Sequence, residues 1–356
     1  MPEKAQLILV TAFACYHNKL YSLPKIKYKN HEISYNAIHK FIPSSKSHND
    51  DFNLQRELVI ASLINGDVSE RYFDISPRWA KMRNGVLEFV RKLVDKCYPN
   101  EKVEITTLVC EHKAGRKNNN DLEVTVNETL KFRLEFKFNT KSVNGCPQFV
   151  SPCRPSVFLD RNFEEWYYDN YLPEIADFGG LEMPDRDTYL STINNNKVQC
   201  MNKFKEKYNS DRQFNKFCKK VDKKAIKQFI QISNLNSNDL TEYLQTSQRD
   251  KHYMCYCDGE FFYDKLDESL YKLDATKSVE KEPTNYIVSC ENGAKLEVKL
   301  RFKNGCGLQF PAFQIKRKIP TKKALIELGA QKKIKINQNM RKDDIVHALD
   351  FAGIVY

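Results

Sequence analysis

The sequence lacks the signatures of several common enzyme classes. Only 12 of its 356 residues are glycine. None of them forms the Gly-x-x-x-x-Gly-Lys-Ser/Thr, Gly-x-Gly-x-x-Gly or Gly-x-Ser-x-Gly patterns of P-loop enzymes, dinucleotide-binding enzymes and serine hydrolases. No apolar run reaches the length that a membrane-spanning helix needs. These absences argue against ATP-driven, nicotinamide-dependent and serine-hydrolase chemistry, and against a membrane partner.

Cysteine and histidine are present, but their spacing is not that of metal ligands. The 11 cysteines and 7 histidines are dispersed, without Cys-x-x-Cys, His-x-x-x-His or His-Glu-x-x-His patterns. Cys255 and Cys257 are too close together for a normal pair of zinc ligands. We therefore expect no zinc site. We expect free thiols and an intracellular location, cytoplasmic or, in a eukaryotic or viral protein, nuclear.

The charge balance favours an acidic partner. Lysine and arginine number 57 against 46 aspartates and glutamates, which gives a net charge of +11. A basic protein attracts polyanions such as nucleic acids and meets them faster. A composition rich in lysine and asparagine also follows from an AT-rich genome, so the charge favours such a partner without establishing it.

The spacing of apolar residues predicts an α/β protein. Helical spacing predicts one helix from Asn53 to about Leu63 and another from Arg78 to about Lys96. Alternation predicts a strand from Lys102 to Cys110 and then a β-hairpin that begins at Asp121. Beyond these, the pattern predicts helices within 163–171 and 197–232, strands within 253–263 and 285–302, and two helices after Pro320.

Two acids and a lysine converge on the predicted hairpin. Asp121 opens its first strand, and Glu135 and Lys137 share one face of the second because side chains alternate along a strand. Two carboxylates supply hard oxygen ligands to Mg²⁺, which keeps several of its waters. The lysine could orient or help to deprotonate an attacking water. The alternative interpretation is a surface hairpin with a solvated charged face.

Asp121 and the triplet Glu135-Phe-Lys137, on strands that follow a helix, resemble the core of the PD-(D/E)XK nuclease superfamily. This superfamily includes most type II restriction endonucleases. Asn120 stands where the family name has proline. The resemblance covers roughly residues 78 to 155. It implies a restriction-endonuclease-like central mixed sheet flanked by helices, with added helical and β segments and a small C-terminal helical module.

The same resemblance implies an activity. It identifies the chain as similar to Mg²⁺-dependent endonucleases that cut double-stranded DNA at specific sequences, usually as homodimers. In this interpretation Asp121 and Glu135 hold the metal and Lys137 activates the water. Two alternatives stay open: a non-catalytic basic DNA-binding protein, and a repair or RNA nuclease with the same core.

Further residues could assist in this site. Glu88 lies in an apolar helical stretch, where a buried acid needs a partner, and family members often carry another acid on the helix before the strands. Glu57 is the second candidate for that role, and Glu88 could equally be an ordinary boundary residue. Gln148, after the Glu-x-Lys strand, could orient the phosphate or water, or could be a turn residue.

A second Glu-x-Lys pair occurs at Glu297 and Lys299. Its hairpin has Asn285 or Tyr286 near the place of Asp121, so it lacks the second carboxylate. A metal held by one carboxylate would bind weakly. We therefore favour the first hairpin, and interpret the second as structural or as a strand that contacts DNA.

Basic residues mark the expected contacts with DNA. The predicted contacts are Lys113, Arg116, Lys117, Lys303, Lys316, Arg317 and Lys318. We predict a nuclease domain over 1–316 and a basic tail over 317–356 that is similar to a SAP-type DNA-binding module. A plain C-terminal helical hairpin is the alternative. The lysines of 203–227 are interpreted as the polar face of a helix pair, in water or on phosphates.

Overall fold

The chain folds into two compact units in a computed structural model. The structure describes residues 23–43, 49–113, 118, 120–143, 149–150, 154–193, 199–265, 271–302 and 311–356. The first unit comprises 1–143 and 250–266, and the second comprises 144–249 and 267–356. This division does not test the domain boundary predicted at residue 317, which stays a prediction.

Strands and helices occur in separate runs along the chain. In chain order the strands are β1 (Ile26–Tyr28), β2 (His31–Ile33), β3 (Leu108–His112), β4 (Leu122–Val126), β5 (Leu130–Phe138), β6 (Phe149–Val150), β7 (Lys251–Cys257), β8 (Glu260–Asp264), β9 (Glu280–Lys281), β10 (Asn285–Ser289), β11 (Lys295–Phe302) and β12 (Pro311–Arg317). The α-helices are α1 (Asn49–Asn65), α2 (Glu70–Ile75), α3 (Pro77–Cys97), α4 (Phe163–Asn170), α5 (Leu172–Gly179), α6 (Arg186–Thr192), α7 (Asn202–Ser210), α8 (Arg212–Ile232), α9 (Ser237–Gln248), α10 (Lys322–Gln331) and α11 (Lys342–Phe351).

The first unit is built on a mixed five-stranded sheet flanked by helices. Its strand order is β3-β4-β5-β7-β8. Strands β5 and β7 pair in parallel, and all the other neighbours are antiparallel. Helix α1 packs against β3 and helix α3 against β8. The chain is therefore a mixed α/β protein, as predicted.

Local chemistry explains the two long helices and the hairpin. Helix α3 starts after Ser76, whose hydroxyl accepts from the Trp79 amide, with Pro77 at the first helical position. Gly66, with a φ of +75°, follows the end of α1. On β4 and β5 every second side chain is buried, in a core shared with α1 and α3. The predictions for these elements are confirmed.

The strand predicted from Lys102 to Cys110 was wrong in its bounds, because β3 begins at Leu108. The Asn127 side chain holds the preceding segment instead. Its Oδ1 accepts from the amides of Thr106 (2.8 Å) and Thr107 (3.2 Å), and its Nδ2 donates to the Glu104 carbonyl at 2.6 Å. These backbone groups therefore bond to a side chain and not to a neighbouring strand.

The second unit has its own five-stranded sheet, in the order β6-β12-β11-β10-β9, with all neighbours antiparallel. The helical stretch predicted over 197–232 is divided at Asp211, which caps α8 by accepting from the Gln213 and Phe214 amides. Helices α10 and α11 form the predicted C-terminal helical pair around a small core of Leu325, Ile345, Val346 and Leu349. No helix in the part of the chain that the structure describes is long and apolar enough to cross a membrane.

Candidate active site

The β4–β5 hairpin positions Asp121 beside the strand that carries Glu135. The Asp121 amide donates to the Leu134 carbonyl at 3.0 Å. The Asp121 carboxylate oxygen Oδ2 accepts from the Phe136 amide at 2.9 Å. The backbone on both sides of Glu135 thus holds Asp121, so the two carboxylates meet at one place, as the sequence predicted.

Asp121 is crowded by other acids. Burial raises its pKa well above the usual range, and the negative charges of Glu135 and then Glu57 raise it further. The nearby Lys137 charge and the bond from the Phe136 amide act in the opposite direction without overcoming these effects. The Asp121 carboxylate therefore lies where additional positive charge would be stabilising.

Glu135 has the opposite electrostatic character. Lys137 Nζ donates to its Oε1 at 2.7 Å, and Lys251 Nζ donates to its Oε2 at 3.1 Å. Burial acts to raise the pKa of Glu135, but the charges and hydrogen bonds of the two lysines outweigh it and lower the pKa. Glu135 is therefore held ionised and in a fixed orientation.

Lys251 is the site residue that sequence reasoning missed. It opens β7, whose parallel pairing with β5 sets it opposite Arg133 and within reach of Glu135. It lies 116 residues after Glu135 in the chain. Its side chain is 4% exposed, against 17% for Lys137. No local pattern marks this lysine, because only the pairing of two distant strands brings it to the site.

The helical acid near the site is Glu57 and not Glu88, so the expectation that Glu88 is buried against the sheet was wrong. The Glu88 side chain is 63% exposed and pairs with Lys92 at 2.6 Å, because its neighbours on α3 occupy the core-facing side. Glu57, on α1, is buried and accepts from His112 Nε2 at 2.8 Å. Its charge acts on Asp121. Glu57, the second candidate, is thus the helical acid near Asp121, and its part in a reaction stays a prediction.

The described residues among the predicted DNA contacts are all engaged with acids. Lys113 pairs with Glu111 and lies 3.6 Å from Glu123. Lys316 pairs with Glu297, buried Arg317 with Asp350, and Lys318 with Glu282. Arg116, Lys117 and Lys303 lie outside the described residues, as does Gln148. The predicted contacts that can be seen are thus partly neutralised within the chain.

The second Glu-x-Lys pair lies in a different setting. Glu297, on β11, is opposite Ile287 on one side and Lys316 on the other. Its carboxylate pairs with Lys316 at 2.9 Å. Lys299 is opposite Asn285. Neither neighbouring strand places an acid opposite Glu297, which agrees with the prediction that this hairpin lacks a second carboxylate.

Within the described ranges, no group of three or more His, Cys, Asp or Glu side chains is arranged to hold a metal ion. The seven cysteines in those ranges are free thiols. Asp121 and Glu135 are the two carboxylates that could hold a cation, and Mg²⁺ commonly keeps several waters beside such ligands.

Comparisons with known proteins leave the site to be interpreted from its own geometry. No family model matches the chain, and no curated protein or solved structure does either.

Proposed function

We propose that the chain is a Mg²⁺-dependent endonuclease of the PD-(D/E)XK type that hydrolyses double-stranded DNA at specific sequences, as a homodimer. One observation carries the proposal: the hairpin brings Asp121 to Glu135, whose carboxylate is bonded by Lys137. The order of helix, three antiparallel strands and further strands supports a restriction-endonuclease-like core. In this chain the core includes β7, contributed from beyond residue 250.

The donor set suits a hard divalent cation. Asp121 is partly buried near two other acids, and a cation beside it would offset their repulsion. Asp121 and Glu135 would hold it, because Mg²⁺ is usually bound through one or two carboxylates and several waters. When bound, the cation lowers the pKa of a coordinated water and neutralises charge on the phosphate.

The two lysines that bond Glu135 have different proposed roles. Lys137, the more exposed, moves from Glu135 towards the attacking water and orients or deprotonates it. Lys251, almost fully buried, keeps the other Glu135 oxygen in place during that movement. The water passes a proton to solvent, or to Lys137 once this lysine has released its own, as its oxygen attacks the phosphorus in line. The bond to the 3′ oxygen breaks and that oxygen takes up a proton from solvent, which leaves a 5′-phosphate and a 3′-hydroxyl. Lys137 is thus proposed as catalytic and Lys251 as a positioning residue.

Incubation of the purified protein with long unmethylated DNA tests this proposal. Reactions contain Mg²⁺ or EDTA, and the wild type is compared with Asp121→Asn and with Glu297→Gln, the matched change in the second Glu-x-Lys pair. We expect discrete fragments in Mg²⁺ only, lost in Asp121→Asn and kept in Glu297→Gln. A smear of products would contradict sequence specificity. Loss in Glu297→Gln alone would move the site to the second hairpin.

The non-catalytic DNA-binding protein is the second candidate. It is favoured by the fact that Lys137 and Lys251 already satisfy both Glu135 oxygens, as a purely structural ion-pair cluster would. Gel retardation of DNA without cleavage in Mg²⁺, Mn²⁺ or Ca²⁺ would support this candidate. Cleavage of RNA but not DNA would instead indicate the RNA nuclease.

A further inference from the structure

Helix α8 presents an unusually uniform positive surface. Seven cationic residues lie on its exposed side, a set that we call the α8 stripe: Arg212, Lys216, Lys219, Lys220, Lys223, Lys224 and Lys227. The only acid in the helix is Asp222, which is buried and accepts a hydrogen bond from Tyr167. The exposed side of α8 therefore carries no negative charge of its own.

The α8 stripe is also little neutralised by the rest of the second unit. Within the described residues, only Lys224 has an acidic partner, Glu174, at the long distance of 3.9 Å. Lys219 contacts the Tyr208 ring instead. By contrast, Lys316 is paired with Glu297 on the neighbouring strand, and Lys318 is paired with Glu282. The exposed side of α8 therefore keeps most of its positive charge, whereas the contacts predicted at Lys316 and Lys318 are partly neutralised.

The dimensions of the α8 stripe match a nucleic-acid backbone. Its ends, Arg212 and Lys227, are 15 residues apart, which corresponds to about 22 Å along a helix axis. One DNA strand carries a phosphate about every 3.4 Å along the duplex axis, so about six or seven phosphates occupy that length. Lysine binds phosphate as a point charge, without a fixed geometry.

The opposite side of α8 is not available for insertion into a membrane. An interfacial helix inserts its apolar face among the lipids. The apolar face of α8 is already buried in the protein, where Phe214, Cys218, Val221, Ala225, Ile226, Phe229 and Ile230 lie. Only the charged side is left for a partner.

We propose that the α8 stripe binds the sugar–phosphate backbone of double-stranded DNA without reading its sequence. The choice of DNA as the polyanion rests on the proposed function. The positive charge of the α8 stripe is observed independently of that function. The α8 stripe supplies affinity for the duplex and fixes the position of the protein on it. Base contacts elsewhere would supply sequence specificity. This places much of the salt-dependent binding in the second unit.

Fluorescence anisotropy with a labelled 30-base-pair duplex, in EDTA so that no cleavage occurs, tests the α8 stripe. The test variant combines Lys216→Gln, Lys220→Gln, Lys223→Gln and Lys227→Gln. The control combines Lys92→Gln, Lys272→Gln, Lys277→Gln and Lys295→Gln, four lysines that already pair with acids at 3.3 Å or less. Both variants lose the same charge. A matching single-stranded oligonucleotide is measured in parallel.

We expect the test variant to bind duplex at least tenfold more weakly in low salt. The slope of log K against log salt should fall by about 3 to 4, because each lost phosphate contact removes about 0.9. The control should lose less than one unit of slope, and the four corresponding Lys→Arg changes should keep binding. Single changes, Lys220→Gln or Lys223→Gln, should each remove about 0.9, which preserves the test if the fourfold variant unfolds.

Equal weakening of the two variants, or wild-type binding by the test variant, would overturn the proposal. So would a loss that appears with the single strand and not with the duplex. Failure of the nuclease proposal can be told apart from failure of this one. A protein that never cuts DNA can still show a smaller slope of log K against log salt when the α8 lysines are replaced.

Discussion

Glu135 is the residue on which the proposed chemistry depends, and its two lysine partners differ in what they stabilise. Lys251 is buried and fixed, whereas Lys137 is partly exposed and close to Asp121. Removal of one partner from a buried ion pair leaves an uncompensated charge and costs more than the pair itself contributes. Replacement of Lys251 should therefore mainly lower stability, and replacement of Lys137 should mainly slow the reaction.

Lys251→Met should lower the free energy of unfolding by about 3 kcal/mol, because it removes a buried partner of Glu135. Lys137→Met should cost less stability but should reduce the cleavage rate at least 100-fold, the usual range for a proton-transfer group. Urea unfolding and single-turnover rates measure the two effects. A larger stability loss in Lys137→Met, with cleavage intact, would reverse the assignment. Lys251→Arg, which keeps the charge, serves as the control.

Asp121→Asn should melt at a higher temperature than the wild type in EDTA at neutral pH. Ionised Asp121 is disfavoured in the folded state by burial and by neighbouring acids, and the amide removes that cost while keeping an acceptor for Phe136. Mg²⁺ should raise the melting temperature of the wild type only, since a ligand stabilises the state that binds it. Equal shifts in both proteins would contradict a metal site at Asp121.

Glu164→Gln should change the pH dependence of stability in the second unit. Burial raises the pKa of Glu164, and its Oε1 has no hydrogen-bond partner among the residues that the structure describes. A raised carboxyl pKa gives a contribution that is present below the unfolded value of about 4.3 and is lost as the pH rises through the folded value. The variant should gain stability over the wild type between pH 4 and neutrality. A urea-midpoint difference that is constant with pH would refute this.

At the scale of elements, the amphipathic helices and strands were predictable from the sequence. The boundaries that depend on one side chain were not. The apolar spacing of α3 and the alternation of β4 and β5 gave their type and approximate bounds, because burial of one face imposes a period. The start of β3 depended on one side chain, Asn127, and the break before α8 on the cap residue Asp211. Both boundaries are set by side-chain hydrogen bonds, which the spacing of apolar residues does not reveal.

The candidate site divides in the same way. Asp121, Glu135 and Lys137 were found because a hairpin keeps sequence neighbours together. The parallel pairing of β5 with β7 joins residues more than a hundred positions apart, so Lys251 could not be found. Glu88 was preferred to Glu57 on apolar neighbours alone, but those neighbours face the core while Glu88 faces outwards.

Asn127→Ala should destabilise the first unit by about 1–2 kcal/mol, because its side chain bonds the 104–107 segment and its φ of +49° suits asparagine better than alanine. Hydrogen exchange should quicken at the amides of Thr106 and Thr107 while the amides of β5 stay protected. Asn127→Asp keeps the accepting oxygen and should lose less. Unchanged exchange at Thr106 would show that this segment is held by other contacts.

For the whole molecule, the two units carry different parts of the proposed function. The first, with its mixed sheet, carries the carboxylates and lysines of the proposed reaction. The second carries the α8 stripe and the antiparallel sheet with Glu297. Residues 144–249, which belong to the second unit, separate β5 from β7 in the chain. Parallel strands always need a long crossover connection. Here the connection from β5 to β7 contains a large part of the second unit.

The most direct test of the account is the single-turnover rate of duplex cleavage at saturating protein, with Mg²⁺, for the wild type, Asp121→Asn and Glu135→Gln. Saturation removes any effect of binding, so the rate reports the reaction. We predict a loss of at least about two to three decades in each variant, as expected when a transition-state charge stabiliser is removed, with binding of DNA in EDTA unchanged. Cleavage by Asp121→Asn at the wild-type rate would contradict the central claim.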